Sequence, residues 1–156
     1  MNTTLCYIEQ NDCYLMLHRT KKNQDPNAGK WIGVGGKFEP GESPDECLRR
    51  EVTEETGLTL NSWQCRGIVT FVSDEWPTEY MHLFTSCGFS GTVQDCAEGQ
   101  LQWVHKSQVP ELPLWEGDRI FLKLLAQGQP FFLLTLRYQG PHLCQAILNG
   151  SPLPLA

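Results

Sequence analysis

Short apolar runs separated by polar turns predict a chain of mixed α and β structure. The clearest example lies near the N-terminus, where two apolar runs flank the polar stretch Glu9-Gln10-Asn11-Asp12, a pattern typical of a β-hairpin. Similar runs recur along the chain, with no internal repeat and no low-complexity linker between them. The predicted strands are 5–8, 13–18, 67–72, 80–87, 101–104, 131–138 and 142–148, with turns at 9–12, 73–78 and 139–141.

Two segments, 44–56 and 118–126, are predicted to be helices that bury one face. The first begins after Ser43, the expected N-cap, with proline at the first helical position and Glu46 placed for a capping box. Gly57 suits the left-handed conformation that often ends a helix. The second helix is predicted from its apolar face, which consists of Ile120, Phe121, Leu124 and Leu125.

The first helix carries three glutamates on one face. Glu51, Glu54 and Glu55 stand at i, i+3 and i+4, where like charges repel by roughly 0.2–0.5 kcal/mol per pair. Leu48 and Val52 form the adjacent apolar stripe, so we expect the glutamates to be half-buried at the edge of the core. Divalent cations such as Mg²⁺ favour carboxylate oxygens and complete their shell with water and substrate phosphates. The pattern indicates a metal-dependent phosphate site; the alternative from these residues alone is a solvated acidic face.

The surrounding residues favour the metal site. Gly33, Gly35 and Gly36 allow the backbone to pass close to an ion or to phosphates and to turn a carbonyl inward. Glu42 closes this glycine-rich loop, and Arg50 is placed to pair with a carboxylate and hold its orientation.

By these residues the chain is identified as a member of the Nudix family. It matches, without a mismatch, the signature G-x5-E-x7-R-E-U-x-E-E-x-G-U, in which U is a bulky aliphatic residue. The resemblance implies an α+β fold, an α/β/α sandwich with a mixed curved β-sheet between helices. It also implies hydrolysis of a nucleoside diphosphate linked to another group, with Mg²⁺ or Mn²⁺. The matching residues are Gly36, Glu42, Arg50, Glu51, Val52, Glu54, Glu55, Gly57 and Leu58.

The same resemblance implies roles for individual residues. Arg50 and Glu42 would orient the metal ligands. Glu54 is the first choice for the general base or central ligand, followed by Glu51. Glu98, on the loop before strand 101–104, would approach the metals from the opposite side as ligand or base. The implied metal ligands are Glu51, Glu54, Glu55, Glu98 and a backbone carbonyl of the Gly35-Gly36 pair.

Two further segments, 31–37 and 114–118, resemble the MutT-type branch, which destroys oxidised purine nucleoside triphosphates. In the animal enzyme of that branch a tryptophan stacks on the base and neighbouring acidic residues read the purine edge, and Trp115 and Asp118 match two of those positions. Gly117 and Ile32 depart from the pattern, replacing an aspartate and an asparagine. The resemblance thus implies that the substrate-binding residues include Trp115, Asp118, Lys37 and Ile32, although Trp115 could equally be a core aromatic.

Composition is consistent with one small cytoplasmic enzyme. The 156 residues, 40% of them hydrophobic, predict a single domain over 1–148 and a frayed tail over 149–156. No basic region followed by a long apolar stretch is present, so we expect the chain to be neither secreted nor membrane-spanning. Seven scattered cysteines are expected to be reduced and mostly buried. A net charge of -6 argues against a nucleic-acid polymer as partner and favours a small-molecule nucleotide substrate.

One basic segment remains. The stretch 18–29 is predicted to be an exposed loop, and Arg19, Lys21, Lys22 and the following Lys30 could receive the phosphates. A loop that merely aids solubility is an equally good interpretation of these four residues.

The combined hypothesis is a metal-dependent pyrophosphohydrolase that converts 8-oxo-dGTP to the monophosphate and pyrophosphate, sanitising the nucleotide pool. Another Nudix pyrophosphatase, acting on ADP-ribose, dinucleoside polyphosphates or capped RNA, is the first alternative. A non-catalytic Nudix nucleotide-binding module is the second, and it is disfavoured because every carboxylate of the signature is retained.

Overall fold

The computed structural model describes residues 1–20 and 26–155, so Lys21 and Lys22 of the basic segment lie outside the described residues. Within that part of the chain, a single 3₁₀ turn at Val109–Glu111 precedes the second helix. The remaining elements, in chain order, are β1 (Asn2–Gln10), β2 (Cys13–Arg19), β3 (Trp31–Ile32), β4 (Val34–Lys37), α1 (Pro44–Thr56), β5 (Thr59–Ser73), β6 (Glu79–Ser90), β7 (Gly99–His105), α2 (Glu116–Ala126), β8 (Phe132–Gln139), β9 (His142–Leu148) and β10 (Ser151–Leu153).

The strands form one mixed sheet in the order β10-β9-β8-β5-β6-β1-β2-β3, with β4 paired to β1 and β7 paired to β2. Strands β1 and β6 are parallel, as are β5 and β8, whereas the hairpin partners are antiparallel. The predicted strand pairs are confirmed, but β5 and β6 extend well beyond the predicted 67–72 and 80–87.

The sheet forks along β1, and this fork positions the candidate site. The first half of β1 pairs with β4, from Thr3 opposite Lys37 to Cys6 opposite Val34, whereas only its last two residues pair with β2. Gly33 joins β3 on one branch to β4 on the other. A Cβ atom at Gly33 would lie 2.6 Å from the Cys6 carbonyl oxygen, so only glycine allows the chain to cross β1 this closely.

Helix α1 has the predicted bounds and caps. Ser43 and Glu46 form the capping box, and Gly57 ends the helix with φ of 79°. Leu48 and Val52 are fully buried against β1, β4 and β5. Because Leu48 and Val52 face the sheet, the rotation of α1 about its own axis is fixed. This rotation also sets the direction in which the glutamates of α1 point.

Apolar side chains pack on both faces of the sheet, which gives the three α/β/α layers. On one face of the sheet, Cys6 and Ile8 of β1 belong to the hydrophobic core beneath α1. On the other face, Leu5 and Tyr7 belong to the hydrophobic core beneath α2, together with Phe121. This alternation confirms the predicted α+β architecture, in which the sheet lies between helices. The described residues include no helix of the length and apolar character needed to cross a membrane.

Three sequence-based expectations are wrong in detail. Helix α2 begins at Glu116 instead of Asp118, because the Gly117 amide finds an acceptor on a neighbouring strand and the first turn can form. The tail does not fray throughout: Asn149 and Gly150 turn with positive φ, so that β10 pairs with β9. The seven cysteines are free, but Cys87 and Cys144 are exposed.

Candidate active site

Arg50 is the centre of an ion-pair network on α1. Its Nε and Nη2 atoms donate to the two oxygens of Glu42 at 2.6 and 2.8 Å, and Nη1 donates to Glu51 at 2.8 Å and Glu54 at 3.1 Å. Nη2 also donates to the Lys37 carbonyl oxygen at 3.1 Å. The two-pronged contact lowers the pKa of Glu42 to about 2, with a contribution from the Glu39 amide. Arg50 therefore pairs with Glu42 and with two carboxylates of α1; that Arg50 and Glu42 orient metal ligands stays a prediction.

Gly36 and Glu51 are in direct contact. A Cβ atom at Gly36 would lie 2.5 Å from Glu51 Cδ and 2.6 Å from both carboxylate oxygens, so any side chain at position 36 would displace Glu51. The buried Cys47 thiol donates to the Gly36 carbonyl oxygen at 3.6 Å and helps to orient this peptide. At Gly35 a Cβ atom would collide with the Thr4 carbonyl oxygen of β1, so the close pairing of β4 with β1 requires glycine at this position.

Glu55 is the buried member of the glutamate face. Its side chain is 8% exposed, and its Oε2 atom has no hydrogen-bond partner among the described residues. Burial, a hydrogen bond with Glu51 and the nearby charge of Glu98 raise the pKa of Glu55 to about 9, whereas Arg19 opposes the shift. A bound cation would favour the ionised carboxylate and satisfy the unpaired oxygen. The donor set and this orphaned atom therefore fit a divalent metal ion.

The glutamates do not all share the half-buried position that the helix pattern predicts. Glu54 is 59% exposed and is held by Arg50 at 3.1 Å, whereas Glu55, the next residue, is buried. Among the residues that the structure describes, no three His, Cys, Asp or Glu side chains already stand together as a metal-binding group.

Glu98 lies immediately before β7, close enough to Glu55 for its charge to raise the pKa of Glu55. It forms an ion pair with Arg19 at 2.7 Å, and the Arg19 side chain is only 16% exposed. The prediction that Arg19 belongs to an exposed loop is wrong, because β2 continues through Arg19 and pairs it with Gly99. Sequence spacing places neither residue near α1; the antiparallel register of β2 and β7 brings them together.

A second group of candidate residues lies near the start of α2. Trp115 is half-buried, and its Nε1 atom donates to Asn27 Oδ1 at 2.9 Å. The Lys30 ammonium lies 5.1 Å from the centre of the Trp115 ring, and the ring of Tyr138 meets Trp115 edge-on at 5.2 Å. Trp115 is thus not a core aromatic: it is a partly exposed ring with a hydrogen bond at its edge and a cation over its face.

Asp118 is buried beside this aromatic group with 3% of its surface exposed. Burial and the charge of Glu79 raise the pKa of Asp118 to about 8, against the opposing effect of Arg119 and Lys30. A neutral carboxyl can both donate and accept a hydrogen bond. The Tyr7 hydroxyl is also buried on this side of the sheet and has no hydrogen-bond partner among the described residues.

The two positions that depart from the MutT-type pattern have different surroundings. Ile32 is 8% exposed and packs in the core on the α2 side, so it offers the site apolar surface only. A Cβ atom at Gly117 would lie 2.5 Å from Leu136 Cδ1 and 2.7 Å from the Tyr138 hydroxyl oxygen. Position 117 therefore has no room for an aspartate. The Lys37 side chain is exposed at the end of β4, and only its carbonyl joins the Arg50 network.

Of two surface clefts, one is lined by candidate residues and the other is not. One of about 430 Å³ lies along the outer face of α1 and includes Arg50 and Glu54 in its lining. Another of about 520 Å³ lies at the β1–β2 turn, between Asp12 and Lys106, and none of the candidate residues lines it. The cleft on α1 is therefore the one relevant to the carboxylates.

Comparison with known proteins gives consistent matches. The sequence profile of the Nudix domain matches residues 2–125. The chain is 33% identical over 140 residues to YvcI, an uncharacterized Nudix hydrolase of Bacillus subtilis, covering 86% of this chain and 85% of the relative. It is 33% identical over 112 residues to the oxidized purine nucleoside triphosphate hydrolase of Mus musculus, covering 70% of this chain and 71% of the relative. Among solved structures, a MutT protein of Bacillus halodurans superposes with a TM-score of 0.85 at 29% identity, over 97% of this chain and 99% of the other.

Proposed function

Since the chain belongs to the Nudix family, we propose that it is a metal-dependent nucleoside triphosphate pyrophosphohydrolase that acts on oxidised purine nucleotides, 8-oxo-dGTP above all. The observation that carries the proposal is the carboxylate face of α1, in which Glu51 is braced by Arg50 and Gly36 and Glu55 keeps an unpaired buried oxygen. The similarity to an oxidized purine nucleoside triphosphate hydrolase supports the substrate class.

The residues that would hold a divalent cation, Mg²⁺ or its substitute Mn²⁺, are Glu51, Glu54, Glu55, Glu98 and a carbonyl of Gly35 or Gly36. When bound, the ion would neutralise polyphosphate charge and lower the pKa of an attacking water. Arg50 contributes indirectly. Because Arg50 is itself held by Glu42 and donates to Glu51, it keeps the Glu51 carboxylate from turning away from the site.

Within this proposal, Glu54 accepts the proton from the attacking water, with Glu51 as the second choice. Glu54 suits this role because its carboxylate is exposed enough to meet water, whereas Glu55 is buried. Glu98, immediately before β7, is the third candidate; its charge acts on Glu55, and its carboxylate is paired with Arg19 as that of Glu54 is with Arg50.

The base would lie against Trp115, with Asp118 reading its edge. The ring of Trp115 is held in place by Asn27 and Tyr138, so stacking would require little reordering of the side chain. Asp118 offers a donor and an acceptor while it remains neutral. The apolar Ile32 would fill space beside the base without a hydrogen bond.

The substrate claim is tested by pyrophosphate release from 8-oxo-dGTP, dGTP and the other common triphosphates in saturating Mg²⁺. We expect 8-oxo-dGTP to give the highest kcat/KM. Equal turnover of 8-oxo-dGTP and dGTP would overturn the oxidised-base assignment and leave the pyrophosphohydrolase class. Preferential hydrolysis of ADP-ribose, dinucleoside polyphosphates or capped RNA would place the chain with another Nudix activity.

The assignment of Glu54 is tested by Glu54→Gln, which removes one charge at nearly constant volume. We expect kcat to fall by at least about 100-fold, as for loss of a general base. Glu111→Gln is the matched control, since Glu111 is an exposed glutamate on the 3₁₀ turn. Wild-type turnover in Glu54→Gln would contradict the assignment. Calorimetry that detects no uptake of Mg²⁺ or Mn²⁺, with or without nucleotide, would contradict the metal site itself.

A further inference from the structure

Tyr138 occupies the space that a side chain at position 117 would need. Its hydroxyl oxygen lies 2.7 Å from the ideal Cβ position at Gly117, and Leu136 closes the remaining space at 2.5 Å. Leu136 is fully buried in β8, so it has no free volume into which to move. The residues at positions 117 and 138 therefore depend on each other: with tyrosine at position 138, its hydroxyl fills the space that an acidic side chain at position 117 would occupy.

The hydrogen bonding of this hydroxyl leaves its proton available. The Gly117 amide, one of the unsatisfied donors in the first turn of α2, donates to the Tyr138 oxygen at 2.7 Å. No described residue accepts the Tyr138 proton. A phenol oxygen that accepts from a helix N-terminus is polarised toward donation. Burial and the charge of Asp118 raise the pKa of Tyr138, so the group stays protonated at neutral pH.

The ring of Tyr138 lies close to the ring of Trp115. The two ring centroids are 5.2 Å apart at an interplanar angle of 75°, so a base that stacks on Trp115 would lie within reach of Tyr138. The Lys30 ammonium lies over the same Trp115 ring, 5.1 Å from its centre. Phe71 also contacts Tyr138, with ring centroids 6.5 Å apart and an interplanar angle of 26°. The tyrosine ring is thus held by two aromatic neighbours, and its hydroxyl has a defined position.

We propose that the Tyr138 hydroxyl selects the base by donating a hydrogen bond, favouring purines with a carbonyl oxygen at position 6 over purines with an amino group there. The inference rests on the proposed function, because it assumes that a nucleotide base lies against Trp115. Guanine and 8-oxoguanine carry an acceptor at position 6, whereas adenine carries an amino donor. A carboxylate at position 117 would accept a hydrogen bond from the amino group of adenine. The Tyr138 hydroxyl, which occupies that space instead, would direct its own donor at the amino donor, and the two would repel.

The test is a binding measurement that does not depend on turnover. The affinities of 8-oxo-dGMP and 8-oxo-dAMP are measured by calorimetry in Mg²⁺ for wild type, Tyr138→Phe and Tyr80→Phe. Tyr80 is an exposed tyrosine on β6 and serves as the matched control. We expect wild type and Tyr80→Phe to bind 8-oxo-dGMP at least about tenfold more tightly, the effect of one hydrogen bond made against one donor clash. In Tyr138→Phe the ratio should fall to about threefold or less.

If Tyr138 had only a structural role, Tyr138→Phe would weaken the binding of both nucleotides equally and leave the ratio of their affinities unchanged. That result would overturn the inference. Equal affinities in wild type, a preference for 8-oxo-dAMP, or no binding of either nucleotide would also overturn it, even if Tyr138→Phe failed to fold. The proposed function is judged separately by pyrophosphate release in the wild-type enzyme. An enzyme that hydrolyses 8-oxo-dGTP but shows no effect of Tyr138 on the ratio would retain the function and lose this inference.

Discussion

The buried carboxyl of Asp118 makes the stability of the protein depend on pH in a defined direction. The pKa of Asp118 is raised from 3.8 to about 8, mainly by burial and then by Glu79. Between these values the folded chain holds a proton that the unfolded chain has lost. The stabilisation from this group is therefore complete below about pH 4 and decreases as the pH rises through 8.

The magnitude follows from the width of that window. One proton changes the free energy of unfolding by up to about 1.4 kcal/mol per pH unit. Between pH 5 and pH 8 the expected loss is on the order of 3 kcal/mol, relative to a protein that lacks the titrating group. Asp118→Asn supplies that reference, because an amide of nearly the same volume has no proton to lose in this range.

Urea unfolding of wild type and Asp118→Asn at pH 5, 6, 7 and 8, without nucleotide, measures the difference directly. Groups common to both proteins cancel, so the wild-type free energy of unfolding should fall relative to the variant as the pH rises. Asp95→Asn, at an exposed aspartate, should show no such trend. A difference that stays constant within about 0.5 kcal/mol from pH 5 to pH 8, or that changes in the opposite direction, would refute the reasoning.

Three further substitutions test individual contacts. Gly36→Ala places a methyl group 2.6 Å from both Glu51 oxygens, so we expect calorimetric Mg²⁺ affinity to fall at least about tenfold. Gly117→Ala forces a contact of 2.5 Å in the core, and urea unfolding should show a loss of about 1–3 kcal/mol, larger than the helix-propensity gain of at most about 1 kcal/mol. Arg50→Lys keeps the charge but loses the two-pronged contact with Glu42, and kcat should fall at least about tenfold with little change in thermal midpoint.

Each of these expectations has a result that contradicts it. A Mg²⁺ affinity of Gly36→Ala equal to that of the wild type would contradict the contact with Glu51. Wild-type stability of Gly117→Ala would show that the core around Tyr138 can yield. Wild-type kcat in Arg50→Lys would mean that charge alone suffices at this position.

Features set by near neighbours in the chain were predictable from the sequence. The bounds of α1 depend on Ser43, Glu46 and Gly57, whose hydrogen bonds close within four residues, and all three act as the pattern indicates. The shared face of the glutamates likewise follows from the 3.6-residue helical repeat. The contact of Arg50 with Glu42 was predictable because both flank the same short loop and helix.

Other features depend on which distant segments come together, and the tertiary structure decided them. The register of β2 against β7 pairs Arg19 with Gly99 and so brings it to Glu98, which makes an expected loop cation a half-buried partner of that glutamate. The packing of α2 on β8 explains why position 117 is glycine, because the obstructing atoms belong to Leu136 and Tyr138.

The amino-acid sequence by itself therefore determined the helix that bears the carboxylates, the spacing of those carboxylates and the family to which the chain belongs. It did so because caps, helical periodicity and a contiguous signature act over short separations. The burial of Glu55, the exposure of Glu54 and the position of the Tyr138 hydroxyl were decided only by the fold. Their physical cause is packing between elements far apart in the chain, which no local pattern encodes.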